Sequence, residues 1–593
     1  MTKENRKARL RTGLFLLCGY YWCVYMSRSD SYFAPYLLVA GFGLLRFMRS
    51  RGAGECAGKR GVLAAVLAGI LSAGTVLANY NLFLTDLSGV TGTLRCLAML
   101  AAAWGGGFFF FREIFREICR AQAKAVGAAM PERQCPNGRD KWVLFGSWAL
   151  VFAVYVCILM GMLYPGVLTT DSMNQIGQVL SGNYSNHHPY YHTQLIRLCV
   201  RLGMRLFGDI NAGVAVYSLF SALLLSFCFA YVTFTVYQLT RRPVLAGVVL
   251  VWYLAMPFHT AYSVTMWKDV PFGAAVTIFL VSVYRILNAM DSHALHTWLL
   301  AGISALGVCL LRSNGYLAFF ASAVVFVLLY GKRERGLLLL MAAALCGSFV
   351  LKHPVLAARN VPQPDTIESL SIPLQQISRV IAEGCELTQE QRTLLEQVVD
   401  VDSVPGRYSS WISDPMKTLV RERDNQQYLS KHKAEFLKLY VQLGLRHPLA
   451  YLEAWIDATR GYWNGGYDYW RWVTYVEPNE MGIVHTIRCP WLNKLVADYF
   501  AYFASSPLLQ IFLCTGLYSW GLVAAAYAAA VRKDRGALFL TVLPIMVVLS
   551  LMAATPVYSE FRYAYAVFCA MPLILVTSFR TGKPGSECNG QAD

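Results

Sequence analysis

Long segments almost without charge are the feature that most constrains the fold of this 593-residue chain. A helix needs roughly 20 apolar residues to cross about 30 Å of hydrocarbon, and shorter segments can span when flanking aromatic and basic side chains reach the interface. The candidate spans are 12–26, 31–47, 61–84, 90–111, 142–164, 211–238, 243–257, 271–289, 296–311, 316–331, 337–351, 506–530, 536–554 and 561–579. Only 15% of the residues are charged, against about 25% in soluble domains. The sequence predicts an all-α polytopic membrane protein with about 14 transmembrane helices (12–14).

Basic residues are concentrated in alternate connections, and this pattern predicts the orientation of the chain. Cytoplasmic connections of membrane proteins carry an excess of Lys and Arg. The basic stretches are the N-terminal run, 46–60, 112–141, Arg241–Arg242, 332–335, 532–535 and the tail from Arg580. We therefore expect a multi-pass protein of the cell membrane with both termini cytoplasmic. The net charge of +17 follows from this bias, and nothing resembles a nucleic-acid-binding module.

The same pattern divides the chain into five predicted parts. They are an N-terminal four-helix membrane region (1–141), a membrane core (142–351) with a first outer loop at 165–210, an extracytoplasmic, mostly helical domain (352–505), C-terminal transmembrane helices (506–579) and a cytoplasmic tail (580–593). The segment 352–505 is too long for a connecting loop and long enough for a small domain. Its two cysteines, Cys385 and Cys489, either form a disulfide or stay free thiols.

Polar residues directly after the span 142–164 form the first candidate site. Thr169 to Ser172 make a good helix start, and Asp171 lies close to the membrane surface. Three histidines follow on the same loop, His187, His188 and His192. A carboxylate near imidazoles can perform acid–base chemistry or hold a divalent cation. Alternatively, Asp171 is only a helix cap and His192 a solvated loop histidine.

Three further groups of charged residues lie at predicted helix ends on the same side. Lys268 and Asp269 are adjacent at the start of a span and either anchor it at the interface or present a cation to a phosphate. Arg312 lies in a short turn on the side opposite the basic loops, where charges are rare and usually functional. No acidic residue occurs in 299–331, so its partner is distant in sequence or is a ligand. Glu560 and Arg562 either pair with each other or leave Arg562 for a second phosphate.

Aromatic residues alternate with Gly, Asn and Asp in GYWNGGYDYWRW, residues 461–472. Trp463, Tyr467 and Trp470 suit stacking against sugar rings. They suit equally well an aromatic belt at the membrane interface, which is the commoner use of such residues.

These motifs together resemble the GT-C class of membrane glycosyltransferases, especially the branch of the protein O-mannosyltransferases and the lipid A aminoarabinose transferases. The similar elements are Asp171 after a helix, His188–Pro189 near the end of the first loop, MPFHTAYSVTMWKDVPF with Asp269, and Arg562–Tyr563. The resemblance covers about 142–351 and 537–579. This chain has a single acidic residue where the family has a pair, and its first four spans have no counterpart in the simplest members.

The resemblance implies a GT-C fold and a sugar donor linked to polyprenyl phosphate, with membrane lipids around the protein and an extracytoplasmic active site. Asp171 would be the base, His188 would orient it or the acceptor, and Lys268, Arg312 and Arg562 would bind the donor phosphate. Asp269, His187 and Glu560 would support them. A divalent cation, Mg²⁺ or Mn²⁺, at Asp171 stays open, although one carboxylate is a poor site for it. The alternatives are a flippase for lipid-linked intermediates, a polysaccharide polymerase or ligase, and a non-catalytic scaffold.

Overall fold

The computed structural model describes residues 3–49, 58–84, 89–126, 140–290 and 294–580, with the side chains of 3–11 and 125–126 left aside. In these residues the chain is helical and contains isolated β-bridges but no strand. The predicted tail 580–593, apart from Arg580, and parts of the predicted 46–60 and 112–141 loops lie outside the described residues. An all-α fold is therefore confirmed.

Nine helices among the described residues are long and apolar enough to cross a membrane. The number is ten if Pro243–Ala255 and Pro257–Ser263, which meet at 62°, form one broken span. The bend follows from Pro257, because a proline removes a helical hydrogen bond and is favoured at a first helical position. Helices coincide with all fourteen segments that the sequence predicts as spans, but the number of crossings stays a prediction.

The N-terminal group contains four helices. They are α1 (Lys3–Met26), α2 (Ala34–Arg49), α3 (Lys59–Ala78) and α4 (Gly89–Val126). Small residues let these helices approach closely: a side chain at Gly106 of α4 would collide with the backbone of Cys18 in α1. The predicted loop from residue 112 begins instead as a continuation of α4. Ion pairs three residues apart, such as Arg116–Glu113 at 2.8 Å, support that continuation.

The central bundle joins residues 140–358 to the C-terminal helices. Its helices are α5 (Asp140–Met162), α6 (Thr170–Ser181), α7 (Tyr190–Phe207), α8 (Ile210–Thr240), α9 (Pro243–Ala255), α10 (Pro257–Ser263), α11 (Asp269–Leu287), α12 (Leu295–Leu311), α13 (Ser313–Tyr330), α14 (Arg335–Lys352) and α15 (Pro354–Ala358). The predicted first loop thus folds into α6 and α7. All residues of α11 from Asp269 to Ile286 are buried, as expected for a helix with apolar residues on every face at the centre of a bundle.

The segment 366–463 contains short helices around a separate apolar core that includes Val380, Leu419 and Leu443. They are α16 (Ser371–Ala382), α17 (Gln389–Glu396), α18 (Val404–Arg407), α19 (Asp414–Glu422), α20 (Gln426–Lys431), α21 (Lys433–Arg446) and α22 (Pro448–Trp463). A separate core is the mark of a domain. Cys385 and Cys489 are free thiols in the structure.

The remaining chain returns to the bundle. Residues 464–489 contain no helix and pass beside the first loop, where the backbone N–H of Glu477 donates to the carbonyl of Leu168 at 2.9 Å. The last helices are α23 (Pro490–Ser505), α24 (Thr515–Arg532), α25 (Arg535–Ala554) and α26 (Tyr565–Phe579). The predicted span 506–530 therefore begins as a helix only at Thr515.

Candidate functional site

Thr169, and not Asp171, is the N-cap of α6. The backbone N–H of Thr169 donates to Ser172 Oγ at 3.3 Å, and Thr169 Oγ1 accepts a hydrogen bond from the Trp267 indole at 2.8 Å. Thr169 and Ser172 therefore cap the start of α6, a role for which Asp171 is also a suitable residue type. The carboxylate of Asp171, whose side chain is 32% exposed, is left to face other residues.

The start of α11 is fixed beside the start of α6 by backbone pairing. The N–H of Val167 donates to the carbonyl of Val264 at 2.9 Å, and the N–H of Met266 donates to that of Val167 at 3.0 Å. Ser172 Oγ adds a bond to the carbonyl of Met266 at 2.9 Å. Residues almost a hundred positions apart are thus brought together, with Lys268 next to Asp171.

Two cations converge on the carboxylate of Asp171. Its Oδ2 lies 3.2 Å from Arg562 Nη1 and 3.7 Å from Lys268 Nζ. Arg562 also has its Nε 3.6 Å from Glu560 Oε1, and its guanidinium lies 4.7 Å from the centre of the Trp267 ring. We call Asp171, His188, Lys268, Glu560 and Arg562 the Asp171 cluster. It lies where α6, α11 and α26 begin.

Arg312 and Asp269 form a separate buried ion pair beneath this cluster. Arg312 Nη1 donates to Asp269 Oδ1 and, at 3.3 Å, to the carbonyl of Tyr563. The two side chains are 9% and 1% exposed. The partner of Arg312 is therefore distant in sequence, as one of the two sequence alternatives requires. Asp269 Oδ2 has no hydrogen-bond partner among the described residues.

Burial and neighbouring charge shift the titration of the cluster. Burial opposes ionisation of Asp171, but Lys268 and Arg562 outweigh it and hold its pKa well below the usual range. Burial lowers the pKa of Lys268, although Asp171 opposes that shift. Burial also raises the pKa of Glu560. Of the two carboxylates in the cluster, Asp171 is therefore more firmly ionised than Glu560.

The three histidines of the first loop have different surroundings. His188 is buried with Nδ1 3.3 Å from Lys268 Nζ, and burial followed by that cation lowers its pKa to about 4. His187 is exposed and its ring packs edge-on against His188. His192 is not a solvated loop residue, because it is fully buried between Gln175 and Tyr217 at 3.1 and 2.7 Å. His188 is neutral at pH 7 and belongs to the cluster.

The three aromatic residues singled out in 461–472 are engaged in packing. Trp470 is 2% exposed and meets Phe500 edge-on, and the Tyr467 hydroxyl donates to Asn79 Oδ1 at 2.8 Å. Trp463 stacks on Trp455. The bond from Tyr467 to Asn79 joins this segment to the N-terminal helices. The three rings lie outside the Asp171 cluster.

The donor set around Asp171 does not fit a divalent cation. Its nearest charged neighbours are Lys268 and Arg562, which repel one. No group of three His, Cys, Asp or Glu side chains able to hold a metal occurs in the part of the chain that the structure describes.

Sequence reasoning missed the residues that hold the cations in place. Trp267 was not singled out from the sequence, yet its ring lies against the Arg562 guanidinium. Tyr563 lies with its ring centre 4.6 Å from the Arg312 guanidinium and 5.3 Å from that of Arg562. The sequence did hold one indication of these contacts, because each aromatic residue is next to a candidate cation in the chain.

Comparison with known proteins assigns the chain to a family. No curated protein and no solved structure matches it. A family model matches residues 180–590, which include His188, Lys268, Arg312 and Arg562. Because this match covers more than half of the chain, the protein belongs to the family of unknown function DUF6020.

Proposed function

We propose that the protein is a membrane glycosyltransferase of GT-C type, which moves a sugar from a polyprenyl-phosphate donor to an acceptor hydroxyl on the extracytoplasmic side. The observation that carries the proposal is the convergence of Lys268 and Arg562 on Asp171 at the ends of three helices. Such a reaction needs a base for the acceptor and cations for the leaving phosphate. About 14 crossings with both termini in the cytoplasm belong to the same proposal.

Lys268 and Arg562 are the proposed phosphate ligands. Their contacts with Asp171 are 3.7 and 3.2 Å, and their side chains are 20% and 17% exposed. A phosphate oxygen can therefore replace the carboxylate as their partner. Guanidinium groups bind phosphate oxygens with charge-assisted, often bidentate hydrogen bonds. Arg312 is better suited to positioning Arg562 than to binding phosphate. Its guanidinium already pairs with Asp269, and it donates to the carbonyl of Tyr563, the residue next to Arg562.

Asp171 is the proposed base. With both cations on it the carboxylate is weakly basic, and its pKa rises when the donor phosphate takes them over. Asp171 then accepts the proton of the acceptor hydroxyl while the acceptor oxygen bonds to the anomeric carbon of the sugar. The bond from that carbon to the phosphate oxygen breaks, and its electron pair leaves with polyprenyl phosphate, held by Lys268 and Arg562. Neutral His188 keeps Lys268 directed toward this site.

An apolar cavity offers a place for the polyprenyl chain. It has a volume of about 520 Å³ and lies between α2, α4, α9, α24 and α26, with Phe42, Phe115, Trp252 and Met571 in its walls. Tyr518 also lines it, and the Tyr518 ring contacts Phe568, which stacks on Phe561 at 4.2 Å. Phe561 precedes Arg562. A series of contacting rings therefore connects the wall of the cavity to the Asp171 cluster.

Transport of a lipid-linked intermediate is the competing function. Transporters place their ionisable residues near the middle of the bilayer between repeated halves. What favours transfer here is the position of the Asp171 cluster at helix ends, beside the domain 366–463. Transport moves the donor intact, whereas transfer cleaves it.

The test uses the purified chain in lipid nanodiscs with radiolabelled polyprenyl-phosphate sugars and an extract of envelope glycans and lipids as acceptor. Transfer predicts that label leaves the polyprenyl lipid and appears in the acceptor fraction, and that Asp171→Asn abolishes this. In proteoliposomes, a donor that crosses the bilayer uncleaved by the wild type would support transport and overturn the proposal.

A further inference from the structure

A polar pocket separate from the Asp171 cluster lies between the N-terminal helices and the domain 366–463. Its volume is about 220 Å³. The residues that line it are Asp30, Tyr80, Asn81, Ser410, Trp411, Asp457 and Arg460. Asp30 follows α1 and Tyr80 follows α3, whereas Asp457 and Arg460 lie on α22. The pocket thus exists only because the N-terminal region packs against that domain.

Arg460 supplies the guanidinium that lines the pocket. It is 9% exposed, and its Nη1 donates to the carbonyl of Ala78 at 3.5 Å. Its guanidinium is held 4.6 Å from the centre of the Tyr467 ring, and Nη1 lies 3.9 Å from Asp457 Oδ1. A guanidinium that lines a pocket can donate a charge-assisted hydrogen bond to a ligand oxygen.

The other walls define the chemistry of that ligand. Asp457 Oδ2 is fixed by Arg379 at 2.7 Å, so its carboxylate is held as an acceptor for hydroxyl groups. The Trp411 side chain is 48% exposed and gives the pocket an aromatic face. Asp30 adds a second carboxylate, which disfavours an anion. The pocket thus offers carboxylate acceptors, a guanidinium donor, an amide and an indole face. This combination suits a neutral, polyhydroxylated molecule.

The pocket shares a chain segment with the Asp171 cluster. The Trp411 ring meets the Tyr558 ring at 4.5 Å, and the N–H of Ser413 donates to the carbonyl of Pro556 at 2.8 Å. Glu560 of the cluster follows two residues after Tyr558, a distance of at most about 7 Å along an extended chain. Residues 556–560 therefore connect the wall of the pocket to the Asp171 cluster.

We propose that this pocket binds the acceptor, and that the acceptor is a neutral saccharide or carries one. The proposal rests on the glycosyltransferase function proposed above and names the substrate class of that site. It also assigns a role to the N-terminal helices, which supply Asp30, Tyr80 and Asn81 to the pocket.

The test is saccharide binding to the full chain in nanodiscs, free of sugar-based detergent, by saturation-transfer NMR. The probes are maltose, cellobiose, lactose and chitobiose. We expect at least one to bind the wild type, and Trp411→Ala to weaken it about tenfold or more, the loss expected for one well-placed aromatic contact. Asn81→Ala, at an exposed position, should weaken it less. Trp472→Ala is the matched control, because Trp472 is 38% exposed but lies outside the pocket.

Binding of polyprenyl phosphate, measured in parallel, separates the two proposals. It should be the same in Trp411→Ala and the wild type. If no probe binds, or if Trp411→Ala and Trp472→Ala behave alike, the acceptor pocket is refuted while donor cleavage by the wild type can still stand. If a probe binds through Trp411 but the wild type never cleaves a donor, the pocket stands as a saccharide site and its role as an acceptor site fails with the proposed function.

Discussion

The two ends of α26 carry the same kinds of charged residue in different arrangements. At one end Arg562 shares Asp171 with Lys268, at 3.2 and 3.7 Å, and the three side chains are 17–32% exposed. At the other end Arg532 and Arg580 bind Asp534 at 2.6 and 3.3 Å, and all three are at most 6% exposed. We call this second group the Asp534 cluster. The helix α26 has 15 residues, so its ends are about 22 Å apart at 1.5 Å per residue.

The partners of these residues explain the difference. Asp534 caps α25 by accepting the N–H of Ala537 at 2.9 Å, and Arg532 donates to the carbonyls of Thr577 and Arg580. The Asp534 cluster is therefore occupied by the protein's own helix ends. In the Asp171 cluster the cap of α6 is Thr169, and the carboxylate of Asp171 contacts Lys268 and Arg562 instead of a helix end. Charges that the fold does not use are available to a ligand.

The largest expected effect concerns the buried pair beneath the cluster. Arg312→Ala leaves Asp269 buried and uncompensated, so we expect a loss of about 3–5 kcal/mol in the free energy of unfolding. Arg407→Ala is the control, because its pair with Glu422 is about half exposed and such pairs contribute only about 0–1 kcal/mol. Equilibrium unfolding in detergent measures both. Equal losses would show that the Arg312–Asp269 pair is not structural.

The second prediction contrasts the two carboxylates. Asp171→Asn should lower sugar transfer at least about a hundredfold, because it removes the base and keeps its shape. Asp534→Asn should lower the thermal midpoint and leave the turnover of the folded fraction unchanged. Product formation and thermal unfolding of both purified variants provide the comparison. Wild-type turnover in Asp171→Asn would remove Asp171 from the chemistry.

The third prediction uses pH to test the burial of His188 beside Lys268. The folded state lowers its pKa from 6.5 to about 4 and thus favours the neutral ring. The resulting stabilisation is present above pH 6.5 and is lost as pH falls through about 4, a change on the order of 3 kcal/mol. His188→Gln should lack this component of the acid loss, whereas His187→Gln, at an exposed position, should retain it. An equal loss of stability at acidic pH in all three proteins would contradict the assigned surroundings of His188.

Much of the helical framework could be predicted, because a membrane-spanning helix requires a long apolar segment that is visible in the sequence. A short turn from Arg312 to residue 315 between two spans was also expected; in the structure the turn is shorter, because α12 ends at Leu311 and α13 begins at Ser313. The continuation of α4 to Val126 was missed, because charged residues in a helix look like a loop when only hydropathy is considered. The ion pairs of Glu113 and Glu117 explain that continuation.

The site was predictable by residue type but not by pairing. Charge on the side opposite the basic loops singled out Lys268, Arg312 and Arg562. The partner of Arg312 is 43 residues away, and Arg562 reaches Asp171 across 391. Such contacts depend on how the helices pack against one another, and this packing cannot be predicted from the local sequence. The pocket around Arg460 was missed for the same reason, since its walls come from four distant segments.

The most direct test of the contrast between the two clusters is the binding of polyprenyl phosphate to Arg562→Gln and Arg532→Gln in nanodiscs. Losing a charge-assisted bond of about 1.5–3 kcal/mol should weaken binding roughly ten- to a hundredfold in Arg562→Gln. Folded Arg532→Gln, isolated by size exclusion, should bind as the wild type does. If both variants bind with wild-type affinity, or both lose it equally, the Asp171 cluster is not the phosphate site and the central claim is contradicted.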